Sequence, residues 1–153
     1  MSEDFPRAPA RVGHLPLHPI FAPIPLTCFG GALITDVVYS LTADILWADF
    51  SDWLITAGLI VSVFVVIAGA VDFLGERRIR ALPAAWIHIL GNVAALVLAI
   101  ADEFIHTRDA YTSVVPTGLI LTALVVVILL VSTWYGWQMV YRHGVGVRPE
   151  LRQ

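Results

Sequence analysis

The chain has 153 residues, a net charge of −3 and only 14% charged residues against 58% hydrophobic ones, with a mean hydropathy of +0.82. That balance excludes a water-soluble domain of this size, and the positions of the charges say more than their sum. Cys28 is the only cysteine, so it forms no internal disulfide and is expected to be a small packed residue.

Residues 1–19 carry Pro6, Pro9, Pro16 and Pro19 and are expected to form an irregular cytoplasmic tail. They hold no basic stretch followed by a short apolar core and a cleavage site, so the first span is expected to act as its own uncleaved insertion signal. Four apolar runs follow, at about Ile20–Leu41, Trp53–Leu74, Trp86–Phe104 and Thr117–Tyr141. Each can cross a hydrocarbon core of ~30 Å, which takes roughly 20 helical residues. Pro23 and Pro25 predict that regular helix begins near Pro25, with Ile20–Ile24 as an extended entry. Pro83 and Pro116 stand where the third and fourth helices start, first-turn positions at which the missing amide does no harm. The connections are short, so neighbouring helices run antiparallel. The expected fold is all-α, a four-helix transmembrane bundle over residues 20–143 with a short cytoplasmic tail at 144–153.

Orientation follows from arginine, since the chain has no lysine. Arg7, Arg11, Arg77, Arg78, Arg80, Arg142, Arg148 and Arg152 fall on one side of the four spans. Arg108 alone falls on the other, among Asp44, Asp49, Asp52, Asp102, Glu103 and Asp109. Basic loops stay in the cytoplasm, which puts both termini inside. Trp47, Trp53 and Tyr111 near one boundary, and Trp86, Trp137 and Tyr141 near the other, agree with this frame.

Three spans each carry a narrow stripe of small and polar residues at helical spacing. Span two has Gly58, Ser62, Gly69 and Asp72, and span three has His88, Asn92, Ala95, Ala99 and Asp102. Span four has Gly118, Thr122, Ser132, Gly136 and, where the helix persists, His143. Such stripes suit the interior of a membrane bundle. An ionisable group at membrane depth costs at least ~2.5–3.5 kcal/mol on insertion scales, so those present call for a reason. His18, Asp72, His88 and His143 all fall at the cytoplasmic ends of their spans, a coincidence of level that makes them the main functional clue. The structural reading stands beside it: interfacial histidine is common, Asp72 has Arg77 and Arg78 nearby, and Asn92 has helix-to-helix bonding to do. Asp36, deep in span one beside Thr35, reads either as a proton-handling carboxylate or as a buried acid bonded to a neighbour.

Gly13-His14, Leu17-His18-Pro19, Pro23, Pro25 and Asp36 resemble one bacterial family of predicted membrane proteins, that built on the domain of unknown function numbered 2231. Gly69 to Asp72, Trp86-Ile87-His88 with Asn92, and the closing Tyr141-Arg142-His143-Gly144-Val145-Gly146-Val147 are similar to it too. The likeness covers nearly the whole chain. It implies a multi-pass protein of the bacterial inner membrane without an assigned activity. It also implies company with electron transfer, because the domain occurs joined to Rieske iron–sulfur or c-type cytochrome modules. The family tends to show His-Pro-x-His-Pro, whereas His14-Leu15-Pro16-Leu17-His18-Pro19 carries an additional residue, which leaves His18 the better match.

Three readings of function remain open at this point. One is a b-type haem at the cytoplasmic end of the bundle, ligated by His88 and His143 with His18 as substitute for either, Asn92 nearby, and Arg142 or Arg78 on the propionates. Another is a divalent-metal site of His18, His88, His143 and Asp72, serving transport or structure. A non-catalytic accessory subunit of a respiratory or photosynthetic complex is the third, blander reading. The chain shows no Gly-rich phosphate loop, CxxC, nucleophile–base motif or basic nucleic-acid patch, so enzymatic activity of its own is not expected.

Overall fold

The computed structural model describes residues 5–108 and 114–147; Asp109, Tyr111, Arg148 and Arg152 lie outside the described residues. Two short strands, β1 (Arg11–Val12) and β2 (Leu15–Pro16), pair antiparallel around a turn in which Gly13 adopts a φ of 58°. Then come α1 (Leu17–Phe21), α2 (Pro23–Thr42), α3 (Ile45–Gly75), α4 (Arg77–Arg80) and α5 (Pro83–His106). An irregular wide turn, Val114–Gly118, leads into α6 (Leu119–His143). Four helical stretches are long and apolar enough to cross a membrane: Leu17–Thr42, Ile45–Gly75, Pro83–His106 and Val114–His143.

Local chemistry sets the boundaries. Pro23 occupies the first position of α2 and Pro25 its first turn, where no intrahelical amide bond is lost, so helix begins earlier than the prolines alone suggest. The same holds for residues 20–24, expected as extended and found largely helical. Asp44 caps α3, its carboxylate accepting from the Leu46 amide at 3.0 Å. That cap starts the helix well before the apolar run at Trp53, carrying Asp49 and Asp52 on its first turns. Pro83 takes the first-turn place in α5. Pro116 instead sits in the wide turn, after an extended Val115, and regular helix resumes only at Leu119.

The four long helices close into a ring in which α2 packs on α3, α3 on α5, α5 on α6 and α6 back on α2. The mid-depth core is Phe29, Ala32, Ile55, Ala95, Ala99, Val125 and Leu129. Alanines at these positions let the backbones approach closely, which drives association where lipid is as apolar as the side chains. The outward faces present Ile34, Phe64, Val97 and Leu130, the surface a bilayer would solvate.

The segment preceding the spans is not an irregular tail. Leu17 donates its amide to Ala10 O at 2.9 Å, Gly146 donates to Pro6 O at 2.9 Å, and the Ala10 amide reaches Asp72 Oδ1 at 2.6 Å. Ala8 and Ala10 are buried, and Pro9 lies so close to Gly75 that a Cβ there would meet it at 2.8 Å. Its order comes from partners far along the chain, which local composition does not reveal. The closing Tyr141-Arg142-His143-Gly144-Val145-Gly146 run supplies one of them. Gly144, at φ 64°, ends α6 with its amide on Val140 O while the Val145 amide bonds Met139 O, and Gly146 then meets Pro6.

Candidate functional site

Two polar clusters lie inside the bundle at different depths. The first is at the end where α2 and α5 begin and α3 and α6 stop. His18 comes from α1 and His88 from the first turns of α5, and their rings stand 5.7 Å apart between centroids at 81°. Each Nδ1 is anchored on a main-chain oxygen of a third and fourth helix: His18 on Val65 O at 3.1 Å, His88 on Ser132 O at 2.8 Å. A main-chain carbonyl only accepts, so both Nδ1 atoms carry hydrogen; Nε2 of each neutral ring is then an acceptor, and that of His88 has Asn92 Nδ2 at 3.4 Å. A glycine faces each ring. A Cβ at Gly69 would come within 3.0 Å of His18, and one at Gly136 within 3.0 Å of His88.

Asn92 and Ser132 complete this cluster. Asn92 Nδ2 donates to Ser132 Oγ at 2.6 Å and to His88 O at 2.7 Å, and Ser132 Oγ donates to His88 O at 2.7 Å. Gly91 allows it, since a Cβ there would lie 3.0 Å from the Ser132 side chain. Asp72 is nearby but committed to the Ala10 amide. His143 is the last residue of α6 and exposed, as is Arg142 beside it. Of the sequence candidates, then, His18, His88 and Asn92 come together, while His143 and Arg142 sit on the rim. Among the described residues no three His, Cys, Asp or Glu side chains converge as a metal-holding group.

The second cluster is at the opposite end and is drier. Asp36 of α2, Asp102 and His106 of α5 and Thr122 of α6 are exposed by 0%, 1%, 5% and 1%. His106 Nε2 lies 3.1 Å from Asp36 Oδ1. Its Nδ1 donates to the main-chain oxygen of Asp102 at 3.1 Å and lies equally close to Asp102 Oδ1, which makes no hydrogen bond. Thr122 Oγ1 is 2.7 Å from Asp36 Oδ2, 2.7 Å from Asp102 Oδ2 and 3.0 Å from Gly118 O. Beside this cluster, Thr35, next to Asp36 in α2, and Ser51 of α3 share a hydrogen bond of 2.7 Å.

Asp36 was foreseen as a buried acid bonded to a neighbour or handling protons, but its partners were not. His106 was not among the candidates named from the sequence. The available signal was its i, i+4 relation to Asp102, with Thr122 facing both from the next helix.

No characterised protein and no solved structure matches the chain. The family of predicted membrane proteins defined by the domain of unknown function 2231 does, over residues 14–149, a stretch running from the β1–β2 turn through all four spans to the glycine stop of α6. With both polar clusters inside the matched region, the chain is a member of that family.

Proposed function

We propose that this multi-pass membrane protein binds a b-type haem at the end of the bundle where α2 and α5 begin, where His18 and His88 would hold the iron, and takes part in electron transfer there. The observation that supports the reading is the pair of imidazoles, each with Nδ1 tied to a main-chain carbonyl, so that Nε2 is the nitrogen with a lone pair; at His88 it faces Asn92 Nδ2 at 3.4 Å, a donor that a metal would displace. Metal-bound histidine is held in this way, which fixes tautomer and ring plane before the metal arrives. The two ring centres stand 5.7 Å apart at 81°, so one iron could be held by both side chains.

Within that reading the chain's residues have separate tasks. Val65 O and Ser132 O orient the two rings, while Asn92 locks Ser132 against the His88 backbone. Gly69 and Gly136 keep the backs of the rings free of side chains. Arg142, on the rim, is the proposed partner for propionates. A bound haem would supply a one-electron couple. The arginine distribution argues that this end is cytoplasmic, in a bacterial inner membrane.

The test is a pyridine haemochrome spectrum on protein purified from cells supplied with haem precursor. About one haem b per chain is expected, lost in His88→Ala and in His18→Ala and retained in His143→Ala. Purified, folded protein without a Soret band sinks the reading, and favours the accessory role in a larger redox complex. Bound zinc lost with His88 would favour the divalent-metal alternative.

A further inference from the structure

We propose that Asp36, Asp102 and His106, bridged by Thr122, form a buried proton-binding site that holds two protons beyond those of neutral histidine and threonine. This inference is independent of the haem reading and concerns the other end of the bundle.

Counting hydrogens carries it. Four contacts in the cluster have hydrogen-bond lengths: His106 Nδ1 to Asp102 O, His106 Nε2 to Asp36 Oδ1, and Thr122 Oγ1 to one carboxyl oxygen of each aspartate. Each needs one hydrogen. A neutral imidazole brings one and the threonine hydroxyl another, so two more must be bound. The threonine alone forces part of this, because a hydroxyl has a single hydrogen to donate and faces two carboxyl oxygens at 2.7 Å. Donation to Gly118 O at 3.0 Å would only raise the requirement. Two protons set against two carboxylates leave the cluster with no net charge.

Burial gives an energetic reason for that count. With all four side chains within 5% of full burial, two unprotonated carboxylates and a neutral imidazole would leave two uncompensated negative charges, at a cost of several kcal/mol per ion. Among the described residues no group of three or more His, Cys, Asp or Glu side chains is arranged to hold a metal ion. The outer neighbours from the packed helices are also acids. Glu103 of α5 is hydrogen-bonded to Thr56 of α3 and lies within electrostatic reach of Asp52, Asp102 and His106. Asp52 Oδ1 and Glu103 Oε2 are themselves buried without a hydrogen-bond partner.

The measurement is infrared spectroscopy of the full chain in lipid nanodiscs, in the carbonyl-stretch region where a protonated carboxylic acid absorbs above a carboxylate. At neutral pH a protonated-carboxyl band is expected that shifts on exchange into D2O. It should be lost or strongly reduced in Asp36→Asn and in Asp102→Asn, and should persist in Asp72→Asn. Thr122→Val keeps both acids and removes their shared partner, so it covers the case in which the aspartate variants fail to fold; there the band should move. Absence of the band in the wild-type protein, its survival undiminished in both asparagine variants, or its unchanged position in Thr122→Val overturns the proposal.

Discussion

Replacing Thr122 with valine tests whether the second cluster holds the bundle together. The two side chains are nearly isosteric, so packing against Val125 and the neighbouring alanines should hardly change. What disappears is a hydroxyl 2.7 Å from carboxyl oxygens on two other helices. An ordinary hydrogen bond between membrane helices averages only about 0.6 kcal/mol, with a maximum near 1.7 kcal/mol, because the separated helices find other partners. Here one deletion orphans two carboxyl oxygens that no water reaches, and a buried orphan costs about 1–3 kcal/mol. At that cost for each of the two, the expected loss is about 2–6 kcal/mol, above the single-bond maximum. Thr122→Ser keeps the hydroxyl and loses one methyl, a cost of about 1 kcal/mol. Steric-trapping unfolding in bicelles measures both against wild type. If valine costs no more than serine, the hydroxyl is a bystander and the cluster is not the clamp described.

Other outcomes follow from the opposite end. Gly136→Ala would place a Cβ 3.0 Å from His88 Cε1; the ring is held by Ser132 O and has little room to yield, so overpacking of about 1–3 kcal/mol is expected in the same unfolding assay, and a neutral result would mean the ring is loosely held. Asp72→Ala removes the acceptor of the Ala10 amide and should release the first residues for limited proteolysis, which Asp72→Asn should do less. Equal cleavage of wild type and Asp72→Ala would show that this bond does not pin the segment. Asn92→Leu should cut haem retention severalfold with the fold intact, by unlocking Ser132 from His88; unaltered retention would confine Asn92 to helix packing.

The helices were legible because bilayer thickness imposes a length on every span and the apolar runs meet it. The interior faces were legible too. Ala95, Ala99 and Asp102 on α5, and Thr122 and Ser132 on α6, are buried as their spacing predicts. Depth was harder to use. Placing His18, His88 and His143 at one level in sequence did not say how the chain turns beyond α6. Gly144 takes a left-handed conformation there and the exposed His143 stays on the rim while His18 meets His88. The pinned first segment was illegible for a related reason, since Asp72 and Gly146 supply its bonds from 62 residues away and from the other terminus. His106 was undervalued because a histidine near a helix end reads as interfacial, and only the fold shows Asp36 arriving from α2 to bury it.

The two clusters share α5 and α6, yet the layer between them is apolar. From Asn92 to Asp102 the axial distance is roughly 15 Å at 1.5 Å per residue, and Ala32, Ile55, Ala95, Ala99, Val125 and Leu129 fill it. None of these side chains donates or accepts a hydrogen bond, and a proton crossing such a layer would be stripped of partners at a cost of many kcal/mol. Protons should therefore exchange between the Asp36 cluster and its own side of the membrane without reaching His88. Liposomes loaded with a pH-sensitive dye and carrying the purified protein should hold an imposed pH gradient as long as protein-free liposomes do, and lose it only when a protonophore is added. Ala99→Ser with Val125→Thr, which places hydroxyls inside the layer, is the sensitised comparison. A wild-type leak above the protein-free rate would mean that the apolar layer opens, and the separation of the two sites would then have to be abandoned.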